Sequence, residues 1–206
     1  NDNDDFVFGA DSVNYGSGTE YKFFFDKSKG AFRAGVVNST TSDDLGDYAT
    51  AFGHNSAAEG TYSFGGGQGS SATGTYAFSY GYFNDVSGQG AVGFGRSNTV
   101  SGRYSMGFGR SNIASEDYAV AFGYQTEASG DYATAFGEDT KASANYATAF
   151  GNTTTASGTA STAFGANSKA TGLLSTAFGI SNTAPSYAEV ALGMYNTDYT
   201  PQNTTG

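Results

Sequence analysis

The chain has 206 residues, of which 38% are hydrophobic, 16% aromatic and 14% charged, and it contains 31 glycines, one histidine and no cysteine. The missing cysteines exclude disulfides and cysteine-ligated metal centres, and the single histidine argues against a histidine-rich metal site. A formal net charge of −10 argues against nucleic-acid binding, and the sequence has no run of about 20 apolar residues that a membrane helix needs.

The first 45 residues precede a long repeat and are predicted to form a β-rich cap. Strands are predicted at Phe6–Phe8, Tyr21–Phe25 and Ala31–Val37, with a turn at Lys27–Gly30. A solenoid needs such a cap, because the open edge of its first coil otherwise promotes aggregation.

Two acidic clusters lie near this end of the chain. Neither follows the Asp-x-[Asp/Asn]-x-[Asp/Asn]-Gly spacing of an EF-type calcium loop. We therefore expect a solvated, flexible start without a bound metal, and calcium binding stays open as the alternative. The clusters consist of Asp2, Asp4 and Asp5, and of Asp43, Asp44 and Asp47.

Residues 46–199 form eleven uninterrupted repeats of 14 residues, and residues 200–206 follow as a tail or linker. The clearest copies are GDYATAFGEDTKAS at 130–143 and ANYATAFGNTTTAS at 144–157. When each copy is numbered from 1 to 14, position 8 is glycine in all eleven copies and position 7 is phenylalanine in eight. Positions 4, 6 and 13 are small with few exceptions, and position 3 is tyrosine in seven copies.

The alternation of large and small side chains predicts two short strands in each repeat. Positions 3 to 7 typically run Tyr-Ala-Thr-Ala-Phe, which is the pattern of a strand with two unlike faces. Glycine at position 8 is expected to supply a positive φ for a turn, and positions 10 to 13 a second strand. Each repeat is then one coil of a parallel β-solenoid, and the whole stack is roughly 50 Å long at ~4.8 Å per coil.

A coil with only two short strands is thin, and its interior has room only for small side chains. We therefore predict that positions 4, 6 and 13 point inside and that positions 3, 5 and 7 point outside. An exposed apolar surface of this length marks an interface, which predicts an obligate oligomer. The alternative is a monomeric β-helix with phenylalanine inside, which would leave alanine at three positions per coil facing solvent. The predicted interface consists of the phenylalanine column at position 7 (Phe52, Phe94, Phe108, Phe122, Phe136, Phe150, Phe164 and Phe178) and, from the tyrosine column at position 3, Tyr104, Tyr118, Tyr132 and Tyr146.

The Ser/Ala-x-Ala-x-Gly motif at positions 4 to 8, with Ala-Ser-Gly corners at 128–130 and 156–158, resembles the head repeats of YadA-like trimeric autotransporter adhesins. The resemblance covers residues 46–199. It implies a left-handed parallel β-roll, a homotrimer packed about a three-fold axis, and a location outside the cell or at its surface. It also implies that the residues flanking the central alanine face that axis.

The sequence departs from this family in two respects. The family usually has isoleucine or valine where this chain has phenylalanine, so a wider, aromatic axis is expected. The patterns of the family's coiled-coil stalk and β-barrel anchor do not occur before Gly206. We therefore expect either a segment of a longer fibre or a head repeat reused elsewhere, as in phage tail fibres and other self-assembling surface filaments.

Position 9 differs from the other outward positions in four consecutive coils. There the basic column, formed by Tyr82, Arg96, Arg110 and Tyr124, is predicted to stack at the edge of an acidic shaft. Arginine recognises carboxylate, sulfate or phosphate groups, and aromatic faces suit sugar rings, so the column is a candidate site for an anionic glycan. The alternative is that turn residues vary freely and that these arginines serve solubility.

Other activities lack the residues they need. The glycine-rich run at 65–69 has no following Lys-Ser/Thr and no helix, so a locally softened coil is expected rather than a phosphate site. His54 falls on the turn after Gly53, where a catalytic triad is not expected. A polysaccharide-cleaving enzyme needs paired carboxylates in a cleft, whereas Glu116/Asp117 and Glu138/Asp139 lie at turn or edge positions. An ice-binding threonine array is too irregular, because position 5 is threonine in only five coils.

The sequence therefore predicts an all-β, N-terminally capped, homotrimeric parallel β-solenoid. Its predicted function is that of an extracellular structural and adhesive fibre domain without catalysis, cofactor or metal. A glycan or an extracellular-matrix component is the expected ligand, and neither nucleic acid nor membrane insertion is expected. The alternative function is a shaft or receptor-binding segment of a phage tail fibre or another surface filament.

Overall fold

The computed structural model describes residues 20–37 and 45–196. Every regular element in these two ranges is a β-strand. They contain no helix that is long and apolar enough to cross a membrane. The predicted strand at Phe6–Phe8, the tail at 200–206 and all members of the two acidic clusters except Asp47 lie outside the described residues.

The described part begins with an antiparallel hairpin of β1 (Glu20–Asp26) and β2 (Ala31–Val37), which confirms two predicted strands and the turn between them. The repeat region follows with a five-residue strand and a two-residue strand in each coil. In chain order these strands are β3 (Thr50–His54), β4 (Ala57–Ala58), β5 (Phe64–Gln68), β6 (Ser71–Ala72), β7 (Phe78–Tyr82), β8 (Asp85–Val86), β9 (Val92–Arg96), β10 (Thr99–Val100), β11 (Met106–Arg110), β12 (Ile113–Ala114), β13 (Val120–Tyr124), β14 (Glu127–Ala128), β15 (Thr134–Glu138), β16 (Lys141–Ala142), β17 (Thr148–Asn152), β18 (Thr155–Ala156), β19 (Thr162–Ala166), β20 (Lys169–Ala170), β21 (Thr176–Ile180), β22 (Thr183–Ala184) and β23 (Val190–Met194).

The strands form two parallel stacks, which confirms the predicted β-solenoid. The eleven five-residue strands and the hairpin make a 13-stranded sheet, and the two-residue strands make a 10-stranded sheet. The register is one coil per 14 residues throughout, so that Phe136 pairs with Phe150 and Gly137 with Gly151. Each residue therefore lies above its equivalent in the preceding coil, and each position of the repeat becomes a column along the stack.

The strand limits differ from those predicted. The long strand covers positions 5 to 9 rather than 3 to 7, and the short strand covers positions 12 and 13 rather than 10 to 13. Position 3 lies in a turn, where Tyr132 has a left-handed φ of 58°, and position 10 is the second left-handed residue, with a φ of 52° at Asp139. The amide N–H of Tyr132 donates to the carbonyl of Asp117 in the preceding coil (2.9 Å), so hydrogen bonding between coils supports the strained residue.

Glycine at position 8 lies inside the long strand and not in a turn, although its predicted positive φ is present. The eleven glycines have φ between 97° and 134°, a region that side chains disfavour. A Cβ on Gly137 would also collide with the carbonyl oxygen of Gly151 in the next coil. Two independent constraints, conformation and backbone proximity, therefore require glycine at this position.

The interior is as thin as the sequence predicts. In the coil at 144–157, Ala147, Ala149 and Ala156 (positions 4, 6 and 13) are fully buried. Position 11, which the sequence analysis did not place inside, is buried as well, as Thr154 shows. The core of the solenoid is thus a stack of alanine columns beside one polar column.

In three consecutive coils the residue of the polar column is asparagine. We call these residues, Asn84, Asn98 and Asn112, the asparagine column. The side-chain amide of Asn98 donates to the Asn84 Oδ1 (3.0 Å) and to the carbonyls of Phe94 (3.1 Å) and Gly109 (3.0 Å). Asn112 repeats the pattern one coil further on. Because these amides are buried, their hydrogen bonds tie consecutive coils together in an environment without competing water.

The hairpin pairs with the edge of the first coil. Strand β2 pairs in parallel with β3, so that Gly35 lies opposite Gly53 and Arg33 opposite Ala51. The Arg33 side chain thereby occupies an interior position; it is 2% exposed, and its Nη1 donates to the carbonyl of Ser56 (3.0 Å). A small apolar cluster supports the junction, and its members are Phe24, Ala31, Leu45, Ala49, Ala51 and Ala58.

Candidate functional site

The phenylalanine column lies on the outer surface of the long-strand sheet, as predicted, and the alternative with phenylalanine inside the coil is wrong. Seven of its eight rings are 38% to 48% exposed, and Phe108 is half-buried. From Phe122 to Phe178 consecutive rings stack in parallel, with centroids 4.8 to 4.9 Å apart and interplanar angles of 3° to 5°. This distance matches the spacing of neighbouring strands, because these rings repeat in register and lie parallel.

The aromatic surface extends beyond the residues that the sequence analysis assigned to it. Tyr80 occupies position 7 and stacks on Phe94 at 5.6 Å, and Phe64 stacks on Phe78 at 4.9 Å from position 5. Gly66 takes the place of an aromatic ring in its coil, and β5 continues through this residue. A Cβ on Gly66 would lie 2.6 Å from the Tyr80 ring and 3.0 Å from the Phe64 ring, so these neighbours fill the space.

Counting every aromatic type at positions 5 and 7, rather than phenylalanine at position 7 alone, identifies these additional rings. The hairpin continues the same surface, with Phe32 5.3 Å from Phe52 and Phe23 5.4 Å from Phe32. The result is an aromatic strip along the long-strand sheet from β1 to β21.

The tyrosine column is separate from the sheet face on which it was predicted. Its residues occupy the turn before each long strand, and Tyr104, Tyr118, Tyr132 and Tyr146 stack on one another at 4.8 to 5.6 Å. Tyr48, Tyr62 and Tyr76 form a second stack at 4.9 to 5.2 Å. The four predicted interface tyrosines are 46% to 59% exposed, so their rings contact mainly their own column.

The basic column forms as predicted at the ends of four adjacent long strands. Tyr82 pairs in register with Arg96, Arg96 with Arg110, and Arg110 with Tyr124. Each arginine turns to the tyrosine next to it: the Arg96 Cζ lies 5.1 Å from the Tyr82 ring centroid, and the Arg110 Cζ lies 5.3 Å from that of Tyr124. Phe83 contacts Tyr82 edge to face at 4.6 Å.

The two arginines of the basic column differ from other cations of the roll. Arg103 forms an ion pair with Asp117 and donates to it from Nε (2.9 Å), and Lys141 pairs with Glu127 at 3.0 Å. The Arg103 side chain thereby lowers the pKa of the Asp117 carboxyl below its ordinary value. Within residues 20–37 and 45–196, neither Arg96 nor Arg110 pairs with a carboxylate.

Residues considered for other chemistry are not brought together. His54 is exposed at the end of β3, in register with Val36 and Gln68. Glu138 is exposed and accepts a hydrogen bond from Asn152 Nδ2 (3.1 Å). In the part of the chain that the structure describes, no three His, Cys, Asp or Glu residues cluster so as to hold a metal ion.

Comparison with known families identifies the repeat. Four segments of the chain match the family described as YadA head domain repeat (2 copies), and they cover residues 45–64, 101–126, 128–154 and 156–182. No curated protein matches the chain.

Proposed function

This chain carries YadA-like head domain repeats, and we propose that it forms an extracellular, trimeric head of an adhesive fibre, in which the phenylalanine column packs against sister subunits. The observation that carries the proposal is the continuous aromatic strip on the long-strand sheet, most of whose phenylalanine rings remain 38% to 48% exposed in the single chain. A strip of this extent is an interface feature rather than an ordinary surface, because soluble monomers rarely expose large contiguous apolar patches.

The opposite sheet supports the choice of interface. Its two-residue strands expose polar position 12, where Lys141 and Lys169 face solvent. An assembly that buries the aromatic strip and leaves this sheet in water keeps the charges of Lys141 and Lys169 hydrated. The two long faces of the roll therefore differ in the way that a closed oligomer requires.

The tyrosine column is proposed as the rim of the same interface. The residues of this column lie in the turns that lead into the long strands, two residues before each strand begins. The column therefore borders the sheet that carries the aromatic strip. Its proposed rim residues are Tyr104, Tyr118, Tyr132 and Tyr146. A tyrosine ring has an apolar body and a hydroxyl that stays hydrated, which suits the border between buried and solvated surface.

The surface role follows from the repeat family, for which an exposed adhesive head is typical. A regular stack of coils provides length and a repetitive outer surface. We therefore propose attachment to a cell or matrix surface, without catalysis.

The interface is tested by placing charge on the aromatic strip. Phe136→Lys/Phe150→Lys puts two ammonium groups per chain into the proposed contact, and we expect the trimer to dissociate or fail to assemble. The matched control is Thr99→Lys/Ile113→Lys, which adds the same charge on two paired strands at position 12 of the opposite sheet. Lysine occurs naturally at this position, and Asp85 and Glu127 flank the pair. Light scattering after size exclusion measures the molar mass of both. A Phe136→Lys/Phe150→Lys protein that stays trimeric, or a control that dissociates equally, contradicts the proposed interface.

The location is tested with antibodies against the folded repeats on intact source cells. We expect labelling without permeabilisation, because the proposed head projects from the surface. Labelling that requires permeabilisation contradicts an extracellular head.

A further inference from the structure

The basic column is the one place on the roll where two adjacent coils carry positive charge at the same position. Arg96 and Arg110 are in register on β9 and β11, so their Cα atoms are about 5 Å apart. Like charges directly opposite on neighbouring strands are unfavourable. The chain as a whole has ten more acidic than basic residues, yet within the described residues no carboxylate compensates these two arginines.

The neighbours of the two arginines in the column are aromatic. Tyr82 and Tyr124 flank the pair, and Glu138 follows only after Tyr124. The rings thus separate the guanidinium groups from the acidic end of the column. The tyrosine rings also stabilise the positions of the guanidinium groups, since each Cζ lies just over 5 Å from a ring centroid.

This arrangement leaves the binding groups of both arginines available. A guanidinium that stacks on a ring uses its face, and the N–H donors along its edge remain directed into solvent. In the described residues no hydrogen bond from either guanidinium to the protein competes for these donors. A carboxylate or sulfate placed between the two coils would accept charge-assisted hydrogen bonds from both and would remove their repulsion.

The aromatic rings define what carries that anion. Phe83 lies against Tyr82, so one end of the column is a cluster of two exposed rings, and Tyr124 provides a third exposed ring at the other end. From Tyr82 to Tyr124 the column spans about 14 Å, with the cationic pair in the middle. Sugar rings pack on aromatic faces while their acidic substituents reach the guanidinium groups, so the spacing suits several units of one chain.

We propose that the basic column, with Phe83, is a binding site for an acidic polysaccharide that bears carboxylate or sulfate groups. This inference deepens the proposed surface-binding function and rests on it. The arginines select the charge, and the rings select a chain of sugar units over a simple ion. Binding weakens as salt is added, because exposed charge pairs are screened.

The test compares two double variants that remove the same charge. Arg96→Gln/Arg110→Gln removes the cationic pair, whereas Arg103→Gln/Lys169→Gln removes two positive charges elsewhere on the roll. The intact protein and both variants are titrated with dextran sulfate, polygalacturonate, neutral dextran and polyglutamate, by interferometry at low and at physiological salt. Molar mass is measured in parallel, so that a failure of assembly is distinguishable from a failure of binding.

The proposal predicts that the unchanged protein binds dextran sulfate or polygalacturonate, with the preferred polymer identifying sulfate or carboxylate. Loss of the cationic pair weakens binding by about tenfold or more, and the control variant stays within about twofold. Tyr82→Ser/Tyr124→Ser, which keeps both charges, also weakens binding.

Three results would overturn the proposal. The first is no binding of either acidic polysaccharide by the assembled protein. The second is an equal loss in both charge variants, which indicates general attraction rather than a site. The third is equal binding of polyglutamate, which indicates that the rings do not select sugars and favours an acidic protein as the ligand.

Discussion

The coils at 74–115 and those at 130–157 share one backbone but fill their interiors differently. In the first set, position 11 is the asparagine column, and Val86 and Val100 at position 13 pack against glycine at position 6 of the next coil. In the second set, position 11 contains Thr140 and Thr154, and both positions 6 and 13 are alanine. The register of the long strands is the same in both.

The outer surfaces of the two sets differ as well. Phe94 and Phe108 are 6.4 Å apart and inclined by 31°, whereas Phe136 and Phe150 are 4.8 Å apart and inclined by 3°. Position 5 is Val92 or Met106 in the coils of the tilted pair, and it is threonine in the coils of the parallel pair. Both arginines of the basic column, Arg96 and Arg110, also lie on the first set of coils.

This comparison separates what defines a coil from what varies within it. Backbone hydrogen bonds between coils and the glycine at position 8 are common to both sets. The interior columns are alternative ways to fill the same narrow space, one through hydrogen bonds and one through alanine packing. The outer columns are therefore free to specialise.

The largest effect is expected where the two sets do not differ. Gly109→Ala and Gly137→Ala should each lower the free energy of unfolding by about 4 kcal/mol, through left-handed strain and collision with the next coil. Gly193→Ala is the matched control, because Gly193 has a φ of 108° but no described atom within 4 Å of an added Cβ. It should cost about 1 to 2 kcal/mol. Urea unfolding at a fixed chain concentration measures all three, and unequal losses at Gly109 and Gly137 would show that the sets do not share this constraint.

The polar interior column should separate the two sets most clearly. Asn98→Ala removes both N–H donors of the buried side-chain amide. It also removes the Oδ1 that accepts from the backbone amide of Asn112, so a loss of about 3 kcal/mol is expected. The Thr140 hydroxyl has no hydrogen-bond partner among the described residues, so Thr140→Val should cost nothing or stabilise by about 1 kcal/mol. The same urea series measures both. A large loss in Thr140→Val would mean that the hydroxyl is paired and that the two interiors are alike.

The two sets of coils also differ in the apolar residues at positions 6 and 13, and a pair of substitutions can convert one arrangement into the other with a smaller effect on stability. A Cβ on Gly107 would lie 2.6 Å from the Val100 Cγ2, so Gly107→Ala alone overpacks and Val100→Ala alone leaves a cavity. Each single change should cost about 1 to 2 kcal/mol. Together they recreate the Ala128/Ala135 arrangement of a later coil, and the double variant should recover most of the loss. If the loss of stability in the double variant equals the sum of the two single losses, the cycle contradicts this compensation between positions 6 and 13.

The hairpin offers the smallest expected effect. Asp26 Oδ1 accepts hydrogen bonds from the Ser28 hydroxyl (2.6 Å) and from the backbone amides of Ser28 (2.9 Å) and Lys29 (3.3 Å). The Ser28 hydroxyl contributes most to lowering the pKa of the Asp26 carboxyl. The ionised Asp26 carboxylate therefore contributes its full stabilisation above about pH 4, the ordinary range of an aspartate pKa. This contribution is lost as the pH falls through the lowered pKa of the folded state. Asp26→Asn should reduce the acid dependence of the melting temperature, and an unchanged pH profile would exclude this contribution.

Much of this architecture follows from the sequence because the repeat has no insertions. A constant 14-residue period predicts that Phe136 lies over Phe150, and the alternation of large and small residues predicts alanine inside and phenylalanine outside. The strand limits could not be predicted, because the left-handed conformation of Tyr132 is disfavoured for a bulky residue and is stabilised only by the neighbouring coil.

The remaining features depend on side-chain partners that the pattern does not reveal. The serine, asparagine and threonine residues at position 11 resemble turn residues in sequence, and their burial becomes evident only when the two sheets face each other. The column of Arg96 and Arg110 could be predicted from the period. Their stacking on Tyr82 and Tyr124 depends on side-chain torsions.

Sedimentation equilibrium of the unchanged chain over a dilution series tests most directly whether sister subunits cover the aromatic strip. The account predicts a mass of three chains of 21.1 kDa that persists at micromolar concentration. A folded single chain of 21.1 kDa at that concentration, with a β-sheet spectrum and no binding of a hydrophobic dye, would contradict it.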